Sequence, residues 1–349
     1  MTYVKVIDSM SAIQKKLNKG GDVVFEGGTY KITQQLIIPA DTILHLFGAT
    51  LKRCGNIQSI FLNKCKTSTT GYKGAGNITI WGGTFEGMGA YNHDNLLTFF
   101  HSHNIKLIGV KFLDTLCHAV ELNACRDVEI ENCQFLGNNA EEEYQEMIQI
   151  DSAYAMGFWL SGSSKRSKCY DGTPCMNVTI IGCKFDKSDY RTYPKACIGT
   201  HTQLYQGEPH RYIKILQNYF NCQGGVCLSL IGMSEVSVFS NYFTGASRIA
   251  RIYNKDYSYK LDGTKVKSTK VDGICKDIKF KDNVLLESYG DKPCPGIYAK
   301  ALEDPHEGTE VVGNKFDKTK EADKYYLYTV NCIDVLANNN QTKMKKKII

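Results

Sequence analysis

The chain has 349 residues, 42% apolar and 22% charged, which suits a folded protein with a large core and excludes a disordered one. Its 42 basic and 36 acidic residues leave a net charge of +6, to which Lys343, Lys345, Lys346 and Lys347 near the end contribute four. The remainder is nearly balanced, so the charge gives no footprint for nucleic acid, and no apolar run is long enough to cross a membrane.

The opening, MTYVKVIDSM, places Asp8 where a secretory leader needs an apolar stretch, so no signal peptide is expected. From residue 9 to 18 the spacing predicts a short amphipathic helix. Beyond it the chain reads as strand, with 31 Gly, 21 Tyr and 15 Phe but only 7 Pro. The phrase GGDVVFEGGTYKITQQLII follows the helix, and the segment of about residues 5–50 is expected to cap what comes next.

What comes next is a repeat. A strand of alternating apolar residues closes on Phe, two residues after a small or polar side chain. ITIWGGTF, IKLIGVKF, VEIENCQF, VTIIGCKF, IKILQNYF and VSVFSNYF end at Phe85, Phe112, Phe135, Phe185, Phe220 and Phe243. Weaker copies end at Leu285 and Phe316. The shortest separation is 23 residues, from Phe112 to Phe135 and from Phe220 to Phe243. A period of that length with no crossover helix cannot be a βαβ unit, and it fits one turn of a parallel β-helix. The fold class is therefore all-β, a single solenoid. Equivalent residues then stack at about 4.8 Å. The Phe positions form an internal ladder, and the slot two residues earlier runs Gly83, Val110, Cys133, Cys183, Asn218, Asn241, Asn283, Asn314. Stacked amides there can bond along the axis.

A second strand precedes each phrase: LLTFFH, AVELNA, MIQIDSA, CIGTHT, CLSLIG, ARIYNK. Alternation turns Val120, Leu122, Ile148 and Ile150 inward. It turns Glu121, Asn123, Gln149, Asp151, Gly199 and His201 outward. Residues 1–337 are read as one domain and residues 338–349 as a basic flexible tail. The 14 cysteines lack the paired spacing of a zinc site and read as small buried hydrophobes. Cys169 and Cys175 flank a turn, the one spacing that suits a local disulfide. His101 and His103 have no third ligand at suitable spacing, so neither a metal nor a cofactor is expected.

The capping helix, the GGDVVFEGGTY phrase and the turns resemble the pectin-lyase-like superfamily of right-handed parallel β-helices over roughly residues 5–335. The resemblance implies a groove on one outward sheet face that holds an extended polysaccharide. The order of polygalacturonase motifs is echoed by Glu121 to Asn123, Ile150–Asp151, Gly199 to His201 and Arg251 to Tyr253. One Asp, the His and the Arg persist, while two carboxylates and a Lys of that pattern are missing. On this reading Asp151 is the acid or base, Glu121 or Glu146 its partner, and His201 orients it. Asn123, Gln149, His118, Trp159, His210, Arg211, Arg251 and Tyr253 are expected to hold the sugar. Loops at 152–175, 186–196 and 205–211 are expected to wall the site. Arg211, Arg248 and Arg251 would suit an acidic sugar.

The expected function is a polysaccharide-cleaving glycoside hydrolase acting outside the cell, on its surface or on a phage particle, as a monomer or homotrimer. A lyase using His or Tyr with Arg is one alternative. The other is a glycan-binding spike, such as a phage tail or surface adhesin, without turnover.

Overall fold

The computed structural model of the chain describes residues 1–87, 95–138, 145–200, 203–253, 257–267, 275–287, 294–301, 306–316, 324–342 and 344–349. The predicted helix is Met10–Leu17. Ser9 caps it by accepting the Ala12 N–H at 3.2 Å, Lys15 and Lys16 oppose the dipole at its far end, and Ile13 and Leu17 bury against the first turn. Regular turns begin at Gly21, earlier than the expected cap of residues 5–50 allowed. The reason lies in the segments Gly21–Phe25, Gly28–Ile32 and Leu36–Ile38, which already bury alternate residues.

Three long sheets wrap one core. The first has twelve strands from Thr2–Val4 to Leu336–Asn338, the second ten from Gly28–Ile32 to Lys315–Phe316, and the third eleven from Leu36–Ile38 to Lys345–Ile348. Neighbours within each are parallel, and successive strands of the chain fall in the first, second and third sheets in turn. Among the described residues this makes ten three-stranded turns.

The ladders fall where the repeat puts them. Phe85, Phe112, Phe135, Phe185, Phe220 and Phe243 stand in register in the second sheet, with ring centroids 4.7–5.6 Å apart. Each is fully buried. In the slot beside them, the Asn218 amide donates to Asn241 at 3.0 Å, Asn241 to Asn283 at 3.0 Å, Asn283 to Asn314 at 2.9 Å and Asn314 to Asn340 at 3.1 Å. Asn340 extends the ladder by a member that the Phe phrase does not mark. Corners use left-handed backbone: Asn77, Asn104, Asp127 and Asn177 have φ of 49–56°. At Gly83, φ is +80°, and a Cβ would lie 2.5 Å from that of Leu46.

Two expectations are corrected. The basic end does not fray: Lys345–Ile348 pairs with Tyr325–Val330 as a further strand of the third sheet, because its backbone continues that sheet's ladder. Nor do Cys169 and Cys175 pair; all 14 cysteines are free thiols. Cys175 points into the solenoid, donating to the Asp151 carbonyl at 3.3 Å, while Cys169 belongs to a separate apolar cluster outside it.

Candidate functional site

The third sheet brings the carboxylate candidates together. Glu121 pairs with Thr98 and Gln149, and Asn123 pairs with Phe100 and Asp151, so the two outward columns are as the alternation predicts. Asn95 Nδ2 donates to Glu121 Oε2 at 2.5 Å, and Thr98 Oγ1 donates to the same oxygen at 3.2 Å. Thr200 Oγ1 donates to Asp151 Oδ1 at 2.6 Å, and the Gln149 amide donates to the other Asp151 oxygen. His118 Nδ1 meets the Glu146 carbonyl at 2.6 Å, and its backbone N–H reaches Asn95 Oδ1 at 3.3 Å.

These groups are closed to water. Glu121 is 2% exposed, Asp151 and Glu146 0%, and Asn123, Gln149 and His118 are buried. Burial is the main force on Glu121 and, with the charge of Asp151, raises its pKa from 4.5 to about 7 against the opposing amides and hydroxyl of Asn123, Thr98 and Asn95.

An insertion covers part of the same outer face. Residues 153–170 build a second small core on the outer face, where Ala153, Ala155, Phe158, Leu160 and Tyr170 pack on Leu62, Phe100 and Ala124. Phe158 meets Phe100 at 5.2 Å. The His101 ring, far from any metal role, ties this roof down by bonding the Cys169 carbonyl at 2.6 Å and the Gly71 carbonyl at 2.5 Å. An antiparallel hairpin, Tyr257–Tyr259 with Lys265–Lys267, sits on the same roof, with the Ala155 N–H donating to the Leu261 carbonyl at 2.9 Å. Tyr259 exchanges backbone bonds with Gln203 and Tyr205.

Other candidates go elsewhere. Arg211 is corrected to the first sheet, in register with Met176 and Ser234, where it pairs with Glu208 at 3.3 Å and Glu235 at 3.9 Å. His210 starts the same strand and is buried, its Nδ1 accepting the Cys175 N–H at 2.9 Å. Trp159 is 46% exposed but stands on the roof, its ring 6.3 Å from Tyr170. The loop at 186–196 leaves the second sheet and lies away from Asp151. His201 lies outside the described residues.

Further along, the outer face of the third sheet carries aromatic and basic side chains. Arg251, Tyr298, Tyr328 and Lys347 form one column in register with Glu121 and Gln149. Arg251 Nε donates to Ser229 Oγ at 3.0 Å, and its guanidinium lies 5.8 Å from the Tyr253 ring. Arg248 lies over Tyr298 at 4.6 Å and Lys347 over Tyr328 at 5.1 Å, while the two tyrosine rings are 5.6 Å apart. All are half-buried. The sequence reading stopped at Tyr253. The signal for the rest was the outward alternation of IYAK and YYLYTV, whose turns carry the weakest Phe phrase.

Among the described residues one thiol group has metal-ligand spacing: Cys197, Cys222 and Cys227, with sulfurs within 4.8 Å of one another. Burial pushes the Cys197 and Cys227 thiols well up.

Such stacking of parallel turns defines the class: the chain has the right-handed parallel β-helix fold. No family model matches it. Over 290 residues the sequence is 26% identical to the plasmin and fibronectin-binding protein A of Streptococcus pneumoniae, covering 72% of this chain and 39% of that protein. The chain thus spans about two-fifths of the length of the curated relative it matches. The crystal structure of PfbA, a surface adhesin of Streptococcus pneumoniae, superposes with a TM-score of 0.77 at 22% identity, over 97% of this chain and 84% of that one. A family 28 exopolygalacturonase of Yersinia enterocolitica gives 0.60 at 12% identity, over 99% and 77%. A tailspike protein of Escherichia coli bacteriophage HK620 gives 0.59 at 12%, over 94% and 56%. No helix of the described residues is long and apolar enough to cross a membrane.

Proposed function

We propose that the protein is a surface-borne or particle-borne β-helix that binds a polysaccharide on the C-terminal half of its third sheet and does not cleave it. The observation that carries this reading is the contrast along one sheet face. Glu121, Glu146 and Asp151, the acids the sequence offered there, are 2%, 0% and 0% exposed, which argues against their meeting a sugar and a hydrolytic water. The same column ends in half-buried Arg251, Tyr298, Tyr328 and Lys347. Aromatic faces stack on sugar rings, and cations beside them favour acidic sugars. Similarity to a surface adhesin supports the binding reading and a location outside the cell.

The hydrolase reading is kept second on one observation. A carboxyl held protonated to about pH 7 beside a second carboxyl is the arrangement a general acid needs. Calorimetry on a panel of neutral and acidic polysaccharides, with product analysis of each mixture, separates the two. Binding without new reducing ends or unsaturated sugars, weakened by Arg251→Ala and Tyr298→Ala, is the expected result. Reducing ends that vanish in Asp151→Asn would refute it.

A further inference from the structure

The loop at 186–196, which the sequence assigns to the wall of the Asp151 site, folds over a different face. It leaves the second sheet after Lys184–Asp186 and turns back across it. Ser188 Oγ donates to Asp114 Oδ1 at 2.5 Å, and the Asn138 N–H donates to the Thr192 carbonyl at 3.1 Å. Between this loop and the sheet lies a groove of about 910 Å³. That is the size of a small-ligand pocket, at the upper end of about 300–1,000 Å³, and not a flat protein-docking face.

Its lining has a definite chemistry. Leu113 and Leu136, adjacent in register, make an apolar strip on the floor. Beside them runs the column Lys111, Gln134, Lys184. Two turns separate the lysines, so their backbones stand about 10 Å apart. Lys111 has no ion-pair partner among the described residues, and Lys184, its side chain half exposed, is held by Asp186 at 3.0 Å. Of the three lining carboxylates, Glu86 is engaged with Lys52 at 2.5 Å and Asp114 with Ser188, while Asp189 is exposed on the loop. On the loop side, Tyr190 is 86% exposed, a large aromatic with no core to serve. Lysine tips, an apolar strip and a free aromatic face are the complement of a sugar chain with acid groups on alternate rings: cations for the carboxylates or sulfates, and Leu and Tyr for the CH faces. An extended acidic peptide is less well served, because the strands that floor the groove are hydrogen-bonded on both sides and offer no edge to its backbone.

We propose that this second-sheet groove is a separate binding site for an anionic oligosaccharide with one acid per disaccharide. Only the ligand class rests on the glycan-binding reading above; the site is on another face. The probes are a hyaluronan hexasaccharide, maltohexaose as the neutral control and a glutamate hexapeptide, titrated by calorimetry at low and high salt. The expected result is binding of the hyaluronan hexasaccharide alone, weakened by salt. The double change Lys111→Ser with Lys184→Ser should weaken it about tenfold and flatten the salt dependence, and Tyr190→Ala should weaken it at either salt. These side chains carry no core packing, so unchanged melting curves would certify the fold. Binding that survives both groove variants but is lost in Arg251→Ala with Tyr298→Ala would overturn the groove and leave the third-sheet reading standing. Equal binding of the glutamate hexapeptide would overturn the ligand class. No binding of any glycan by the wild type would overturn both readings.

Discussion

Glu121→Gln should make the protein more stable, and more so the higher the pH. Glu121 is fully buried, and its pKa rises from 4.5 in the unfolded chain to about 7 in the fold. A raised carboxyl binds its proton more tightly when folded, so its contribution is fully present below pH 4.5 and is lost as pH climbs through 7. At about 1.4 kcal/mol for each pH unit of difference, the wild type forfeits about 1 kcal/mol by pH 5 and about 3 kcal/mol by pH 8. Glutamine keeps the shape and the acceptor toward Asn95 and Thr98 without the charge. Urea unfolding followed by far-ultraviolet circular dichroism at pH 5 and pH 8 measures it: the variant's advantage should grow by about 2 kcal/mol between them. An advantage that does not change with pH would mean that Glu121 is hydrated and ionised in the fold. The roof would then admit water, and the case against hydrolysis would lose its main support.

Three further outcomes follow from the packing. Asn241→Ala removes the acceptor of two Asn218 donors, at 2.9 and 3.0 Å, inside the ladder, and should cost about 2–4 kcal/mol in chemical unfolding. Phe185→Ala leaves a hole between two stacked rings at 4.7 and 4.8 Å and should cost about 3–5 kcal/mol by the same assay. Thiol titration of the native protein should count only the two half-buried cysteines, Cys54 and Cys65, and reach all 14 after denaturation; rapid labelling of Cys169 in the native state would show that the roof opens.

Much of this was readable in the residues. Where side chains stack at a fixed period, identity alone gives register, so Phe85 to Phe316 and Asn218 to Asn314 landed in single columns. The outward pairs Glu121–Gln149 and Asn123–Asp151 followed from alternation. The roof did not, because Ala153, Ala155, Phe158 and Leu160 bury against the outside of the sheet with no period to announce it. The path of the loop at 186–196 was countable in principle. It follows a Phe phrase, hence the second sheet, whereas the insertion at 152–175 follows the third. The two emerge at different corners and serve different faces.

The roof has a mechanical consequence. In a plain solenoid each turn touches only its neighbours, so opening at one end can travel turn by turn. Here the Gly71 N–H donates to Asp171 at 2.7 Å, the Tyr72 hydroxyl to the Pro174 carbonyl at 2.9 Å, and the 257–267 hairpin reaches back to Ala155 and Gln203. One clasp thus joins segments from the end of the second turn to the eighth. Unzipping from the far end should run freely through the turns after residue 275 and stall at the clasp. Under hydrogen exchange or limited proteolysis the protein would then behave as a protected barrel with a softer extension, two mechanical units cut from one continuous repeat.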